Sequence, residues 1–216
     1  MYNVTRVVHA ANGAGADEWT DAVKNIAAVA ESSNALRRLV CTTLPGVING
    51  GDLIVHLQFE DEMAWQTARD AVDDSLRCAA VDHFHGAEYS SGTTGRSGAD
   101  AAGQVYRALF IRVSPGTPQD VLEEFERDLL RMPTHISSIC AWRLSRVDAA
   151  IGHTPWTHVW EQEFTDLGSL QTQYLDHPIH WAVVDRWFDP ECPEAVVHDR
   201  ICHTFGNLTE RLLTVK

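Results

Sequence analysis

The chain has 216 residues, 44% of them hydrophobic, and a formal net charge of −13. That is enough apolar material for one large domain or two small ones. The acidity argues against nucleic acid and against an acidic membrane surface as partners, because both call for clustered Lys and Arg.

The chain opens on MYNVTRVVHAANGAG, with neither a basic leader nor a long apolar run. No stretch approaches the ~20 apolar residues of a membrane span, so no membrane association and a cytoplasmic location are expected. Cys41, Cys78, Cys140, Cys192 and Cys202 are scattered and form no CxxC, which suits reduced thiols. VTRVVHA (4–10) reads as a strand, and Trp19, Val23, Ile26, Ala27 and Ala30 then recur at helical spacing. LRRLVCTTL (36–44) and DLIVHLQF (52–59) are predicted strands, EMAWQTARDAV a helix and VDHFHGAEY (81–89) a closing strand. The segment SSGTTGRSGADAAG (90–103) has almost nothing to bury and reads as a flexible linker.

After it the plan repeats. VYRALFI (105–111) matches VTRVVHA, each with an arginine in third place. In SPGTP, Thr117 is placed to cap a helix, Pro118 to begin it and Asp120 to complement its dipole. Val121, Leu122, Phe125, Leu129 and Leu130 form its buried stripe, and Pro133 is expected to stop it. SSICAWRLS (137–145) and THVWEQEF (157–164) are strands, LGSLQTQYLDH a helix, and VHDRICHTF (197–205) the last strand. Each half is strand-helix-strand-strand-helix-strand, the ferredoxin-like plan. The expected organisation is a diverged repeat over 1–89, a linker over 90–103 and a second repeat over 104–216.

Residues 104–200 resemble the stress-responsive A/B barrel family, a branch of the dimeric α+β barrel proteins. The resemblance is carried by VYRALFIRVSPGTPQDVLEEFERDLLRMPTHISSICAWRLS, by WTHVWEQEF and above all by YLDHPIHWAVVDRWFDP. That last stretch places an HPxH element and an upstream tyrosine after a strand ending in EF. The first half resembles the family in layout alone and reads ARDAVDDSLRC where the second has HPxH. The resemblance implies an α+β fold of two βαββαβ repeats fused into a pseudo-dimeric barrel. It also implies cofactor-free chemistry, since the family includes a polyketide cyclase and a hydroxynitrile lyase beside small stress proteins. The cyclase's functional residues fall by position on Tyr174, His180 and His158. Where it has a histidine in its first strand, this chain has Arg107, and Arg6 in the first repeat.

The residues themselves support a site. Pro178 is suited to begin a helix with His177 or Asp176 at its cap, which places His180 in the first turn. The helix dipole disfavours imidazolium there, leaving a neutral base. His177 serves either as a cap or as a ligand contact. Tyr174 is suited to donate to a developing oxyanion. His158, Trp160, Gln162 and Phe164 share one strand face that resembles a pocket lining, whereas the matching Leu53, Val55, Leu57 and Phe59 are plain core. Arg107 either binds a substrate oxyanion or pairs with a carboxylate. Trp181, next to His180, either packs or lines the pocket. His56 points to the opposite face, toward the inter-sheet interface or solvent, and His203 is expected to be an ordinary strand-end residue.

The reading is a cofactor-free lyase or cyclase in which His180, Tyr174 and His158 are catalytic. Arg107, His177, Trp160 and Trp181 contact a small apolar or aromatic substrate. No metal or other cofactor is expected, since the sequence has no HExxH and no cysteine pair. The alternatives are a noncatalytic binding barrel and a haem- or metal-dependent oxygenase. Open sheet edges are compatible with a homodimer.

Overall fold

The computed structural model describes residues 1–90, 92–97, 103–198 and 201–213. The first repeat runs β1 (Tyr2–Ala10), α1 (Ala16–Ser32), β2 (Arg37–Thr42), β3 (Leu53–Phe59), α2 (Glu62–Ser75) and β4 (Val81–Ser90). Then come β5 (Thr93–Arg96), β6 (Val105–Ile111), α3 (Gln119–His135), β7 (Ile139–Arg146), β8 (Ala149–Ile151) and β9 (His158–Phe164). A helical segment over 167–187 and β10 (Cys202–Asn207) complete the second repeat. The sheets are ordered β2-β3-β1-β4-β8 and β10-β6-β9-β7-β5, with antiparallel neighbours. Each therefore contains the four-strand order of one ferredoxin-like repeat, as the sequence pattern predicts.

The outer strands are exchanged. β5 follows the first repeat in sequence but pairs with β7 in the second sheet, Thr93 opposite Leu144. β8 lies in the second repeat but pairs with β4 in the first, Glu88 opposite Ala149. The expectation of a linker over 90–103 is corrected accordingly, with residues 91 and 98–102 outside the described residues. An uncovered sheet edge presents unpaired N–H and C=O groups, and a short threonine-rich stretch satisfies them. Gly95 permits this pairing, because an added Cβ would meet the Trp142 ring at 2.1 Å. α3 also departs from expectation. It begins one residue after Pro118 and continues past Pro133 to His135, while the Thr117 hydroxyl donates to Ser114 O instead of capping.

Three apolar layers follow from strand alternation. One lies between the first sheet and α1 and α2, around Leu57, Phe59 and Trp65. The second lies between the sheets, where Val7, Ile54 and Tyr89 meet Tyr106, Phe110 and Val159. The third lies between the second sheet and its helices, around Phe125, Trp160, Phe164 and Trp187. Among the described residues no helix is long and apolar enough to cross a membrane.

The middle layer encloses a polar chain. Arg143 Nε and Nη2 donate to Glu161 at 2.6 and 2.8 Å, and Tyr106 donates to Glu161 at 2.8 Å. Arg143 Nη2 also faces His56 Nε2 at 3.4 Å, and His56 Nδ1 lies 2.8 Å from Thr5 Oγ1. With an arginine donor at Nε2, the imidazole carries its proton on Nδ1 and is neutral. Burial pushes the His56 pKa down to about 4, against the pull of Glu161. A group lowered from about 6.5 to that value stabilises the fold above pH 6.5 and loses the contribution as pH falls toward 4. Between these limits the free energy of unfolding should fall by about 1.4 kcal/mol for each unit that the pH drops, from this residue. Urea unfolding of the protein and of His56→Gln from pH 7 to pH 4.5 measures it, and the substitution should flatten the slope by that amount.

Candidate functional site

The site is built on the helical segment over 167–187. Asp166 starts it by accepting from Ser169 N at 2.8 Å. After one α-turn, Leu167–Ser169, it widens into π-type turns at Leu170–Tyr174 and His180–Val184, with a bend at His177. Pro178 accounts for the bend, because it lacks an N–H and restricts the residue before it. His177 caps the restart, its Nδ1 accepting from Ile179 N at 3.1 Å. In the second wide turn Asp185 N–H donates to His180 O, a step of five residues. Such a turn brings i and i+5 onto one face, where an α-helix would bring i and i+4. Asp185 Oδ1 consequently lies 3.2 Å from His180 Nδ1. The carboxylate favours the proton on Nδ1 and leaves Nε2 as the basic nitrogen.

Between this segment and the second sheet is a cavity of about 210 Å³. Leu109, Leu129, Val184, Phe188 and Ile201 make it mainly apolar, and Arg107, Tyr174, His180, Asp185 and His203 supply its polar groups. Arg107 is 3% exposed. Its Nε donates to His203 Nε2 at 2.7 Å, its Nη1 donates to Gln162 Oε1, and its guanidinium carbon lies 4.8 Å from the Tyr174 ring centroid. Burial, Arg107 and His180 together push the His203 imidazole down to about 2, so it stays neutral and accepts. Among the described residues no carboxylate pairs with Arg107 at ion-pair distance. Its counterpart Arg6, also buried, donates to Asp73 at 3.1 Å and Glu88 at 2.6 Å. One repeat thus neutralises its cation with carboxylates, and the other leaves it facing a cavity.

The other predicted residues divide clearly. Tyr174 lines the cavity with its ring, which meets His180 edge-on at 4.9 Å. Its hydroxyl is directed at Met132 Sδ, 3.7 Å away, and burial raises its pKa. His158 is not brought to the cavity. Its Nε2 lies 3.1 Å from Glu126 Oε1 and its Nδ1 2.9 Å from Thr157 Oγ1. The hydrogen bond from His158, helped by Arg146, lowers the Glu126 carboxyl to about 2. Trp160 is fully buried and does not line the cavity. Trp181 is 59% exposed and His177 is occupied as a cap; neither lines the cavity. His203, Asp185 and Ile48 do line it, and none was expected to. Strand parity was the available signal for His203, two residues before the Phe205 that pairs with Arg107. Among the described residues no three His, Cys, Asp or Glu side chains are grouped to hold a metal ion.

Comparison with known proteins agrees with this architecture. No curated protein matches the chain. A solved anthrone oxidase-like protein superposes with a TM-score of 0.68 at 10% identity, covering 95% of this chain and 90% of that one. A mutant chlorite dismutase from Candidatus Nitrospira defluvii, in complex with cyanide, gives 0.57 at 12% identity, covering 95% and 89%. At such identities the likeness is one of fold. The Stress responsive A/B Barrel Domain model matches residues 105–202, which include Arg107, Tyr174 and His180 of the cavity lining. Over that second repeat, the chain is similar to the stress-responsive A/B barrel family.

Proposed function

We propose that the cavity is the active site of a cofactor-free lyase or cyclase acting on a small aromatic carbonyl or hydroxyl compound. The supporting observation is that His180, with Asp185 at its Nδ1, and the uncompensated Arg107 converge on one apolar cavity. His180 Nε2 takes a proton from a carbon beside a carbonyl, or from a hydroxyl. The electron pair left behind moves onto oxygen, where Arg107 stabilises the charge. In ring closure the enolate carbon attacks a second carbonyl. In retro-aldol cleavage, loss of the hydroxyl proton breaks the C–C bond. Either way the imidazolium returns the proton to product. Tyr174 positions both groups, its ring under Arg107 and against His180. A haem is a poor match, since about 210 Å³ is far below a tetrapyrrole and His203 Nε2 already accepts from Arg107.

A binding role without turnover is the second reading, favoured by a Tyr174 hydroxyl that faces Met132. One assay separates the two. 5-Nitrobenzisoxazole is a flat aromatic that opens when a base removes its C–H proton. Its N–O bond breaks, a nitrile forms and the charge settles on a phenolate oxygen. The protein should accelerate this opening, and His180→Ala should lower kcat/KM by about 100-fold or more. Tyr174→Phe should cost much less than His180→Ala, because it keeps the ring that lies under Arg107 and against His180. A rate equal to buffer, or one unchanged in His180→Ala, contradicts the catalytic reading.

A further inference from the structure

We infer that the diverged first repeat supplies the specificity-determining wall of the second repeat's site through Ile48, limiting the ligand to a flat aromatic anion of about two fused rings. This rests on the reading of the cavity as the substrate site. The connection between β2 and β3 leaves its own repeat and lies against β10. Ile48 N–H donates to His203 O at 2.9 Å, and His203 N–H returns a bond to Ile48 O at 2.8 Å. Leu44 N–H donates to Phe205 O at 3.0 Å, and Asn49 Nδ2 to Ile201 O at 2.9 Å. On the other side Gln171, from the helical segment, donates to Pro45 O at 3.2 Å. The connection therefore ties β10 to the helical segment. Gly46, at φ +104°, allows the close pass, with the Phe205 ring 3.5 Å from where a Cβ would stand.

The backbone thus fixes Ile48 where its side chain forms part of the cavity wall. That side chain is 52% exposed, and Leu175, another lining residue, is 46% exposed. Two half-exposed aliphatic groups beside a buried cation describe an opening that an apolar ring can cover while its anionic oxygen reaches Arg107. The volume sets the ring count. A cavity of about 150 Å³ holds one benzene, so the 210 Å³ here suits two fused rings more than three. Because Ile48 itself bonds β10 through its backbone N–H and C=O, its side chain can be exchanged without dismantling those bonds.

Fluorescence titration with 2-naphthoate and anthracene-2-carboxylate tests this, with thermal midpoints recorded for every variant. The wild-type protein should bind 2-naphthoate about 10-fold more tightly than the three-ring acid. Ile48→Ala should bring the two within about 3-fold, and Ile48→Trp should weaken 2-naphthoate by about 10-fold, at unchanged midpoints. If 2-naphthoate binds, is lost in Arg107→Met, and both Ile48 variants keep the wild-type preference, the wall is overturned while the site stands. If the wild-type protein binds neither acid, the reading of the cavity is overturned, and the wall with it.

Discussion

Arg143→Ala should lower the free energy of unfolding by about 3–5 kcal/mol. Arg143 and Glu161 are 1% and 0% exposed and sit at the centre of the layer between the sheets. Removing the guanidinium leaves a carboxylate with Tyr106 and a neutral His56 near it and no cation to offset its desolvation. The truncated side chain also leaves a void between the sheets, which adds to the cost. Urea unfolding gives the number directly. The paired change Arg143→Met with Glu161→Met should recover most of it, because both charges then leave together. A single-variant cost below about 1 kcal/mol would mean that this ion pair does not hold the sheets together.

Much of this arrangement can be read in the sequence. The two βαββαβ runs, the asymmetry of HPxH and the placing of His56 on the face opposite Leu53, Val55, Leu57 and Phe59 all follow from periodicity and parity, which left open whether that face met the other sheet or solvent. Parity tells which face a side chain takes, but not how far along the strand it lies. His158 pairs with Ile111 and Gln162 with Arg107, four residues apart and so roughly 13 Å along the strand. His158 accordingly shares the predicted face and still misses the cavity. Trp181 fails for the corresponding helical reason, since neighbours in sequence do not share a helix face. Asp185 was hidden because its contact with His180 spans five residues, a spacing that only a π-type turn brings into register. The exchange of β5 and β8 was hidden because it depends on which sheet edges remain open after both repeats have folded. Ile48 was hidden because its site belongs to the other repeat.

The second large effect concerns Arg107. Its guanidinium is buried, neighboured by neutral acceptors from His203 and Gln162, and open to the cavity. A ligand anion would supply the counter-charge that no described carboxylate gives Arg107 and that Asp73 and Glu88 give Arg6. Arg107→Met keeps much of the stem's packing and removes the charge. In the benzisoxazole opening it should lower kcat/KM by about 100- to 1000-fold, the cost of losing an oxyanion donor. The folded state should tolerate it, because among the described residues no carboxylate loses its partner.

Binding of 2-naphthoate by wild-type protein and by Arg107→Met, measured by calorimetry beside the neutral naphthalene-2-carboxamide, tests the central claim most directly. An uncompensated cation in an apolar cavity predicts that the wild-type protein prefers the carboxylate by about 10-fold or more, and that Arg107→Met erases the preference. Equal affinity for acid and amide in the wild-type protein, or a preference that survives the substitution, would contradict it.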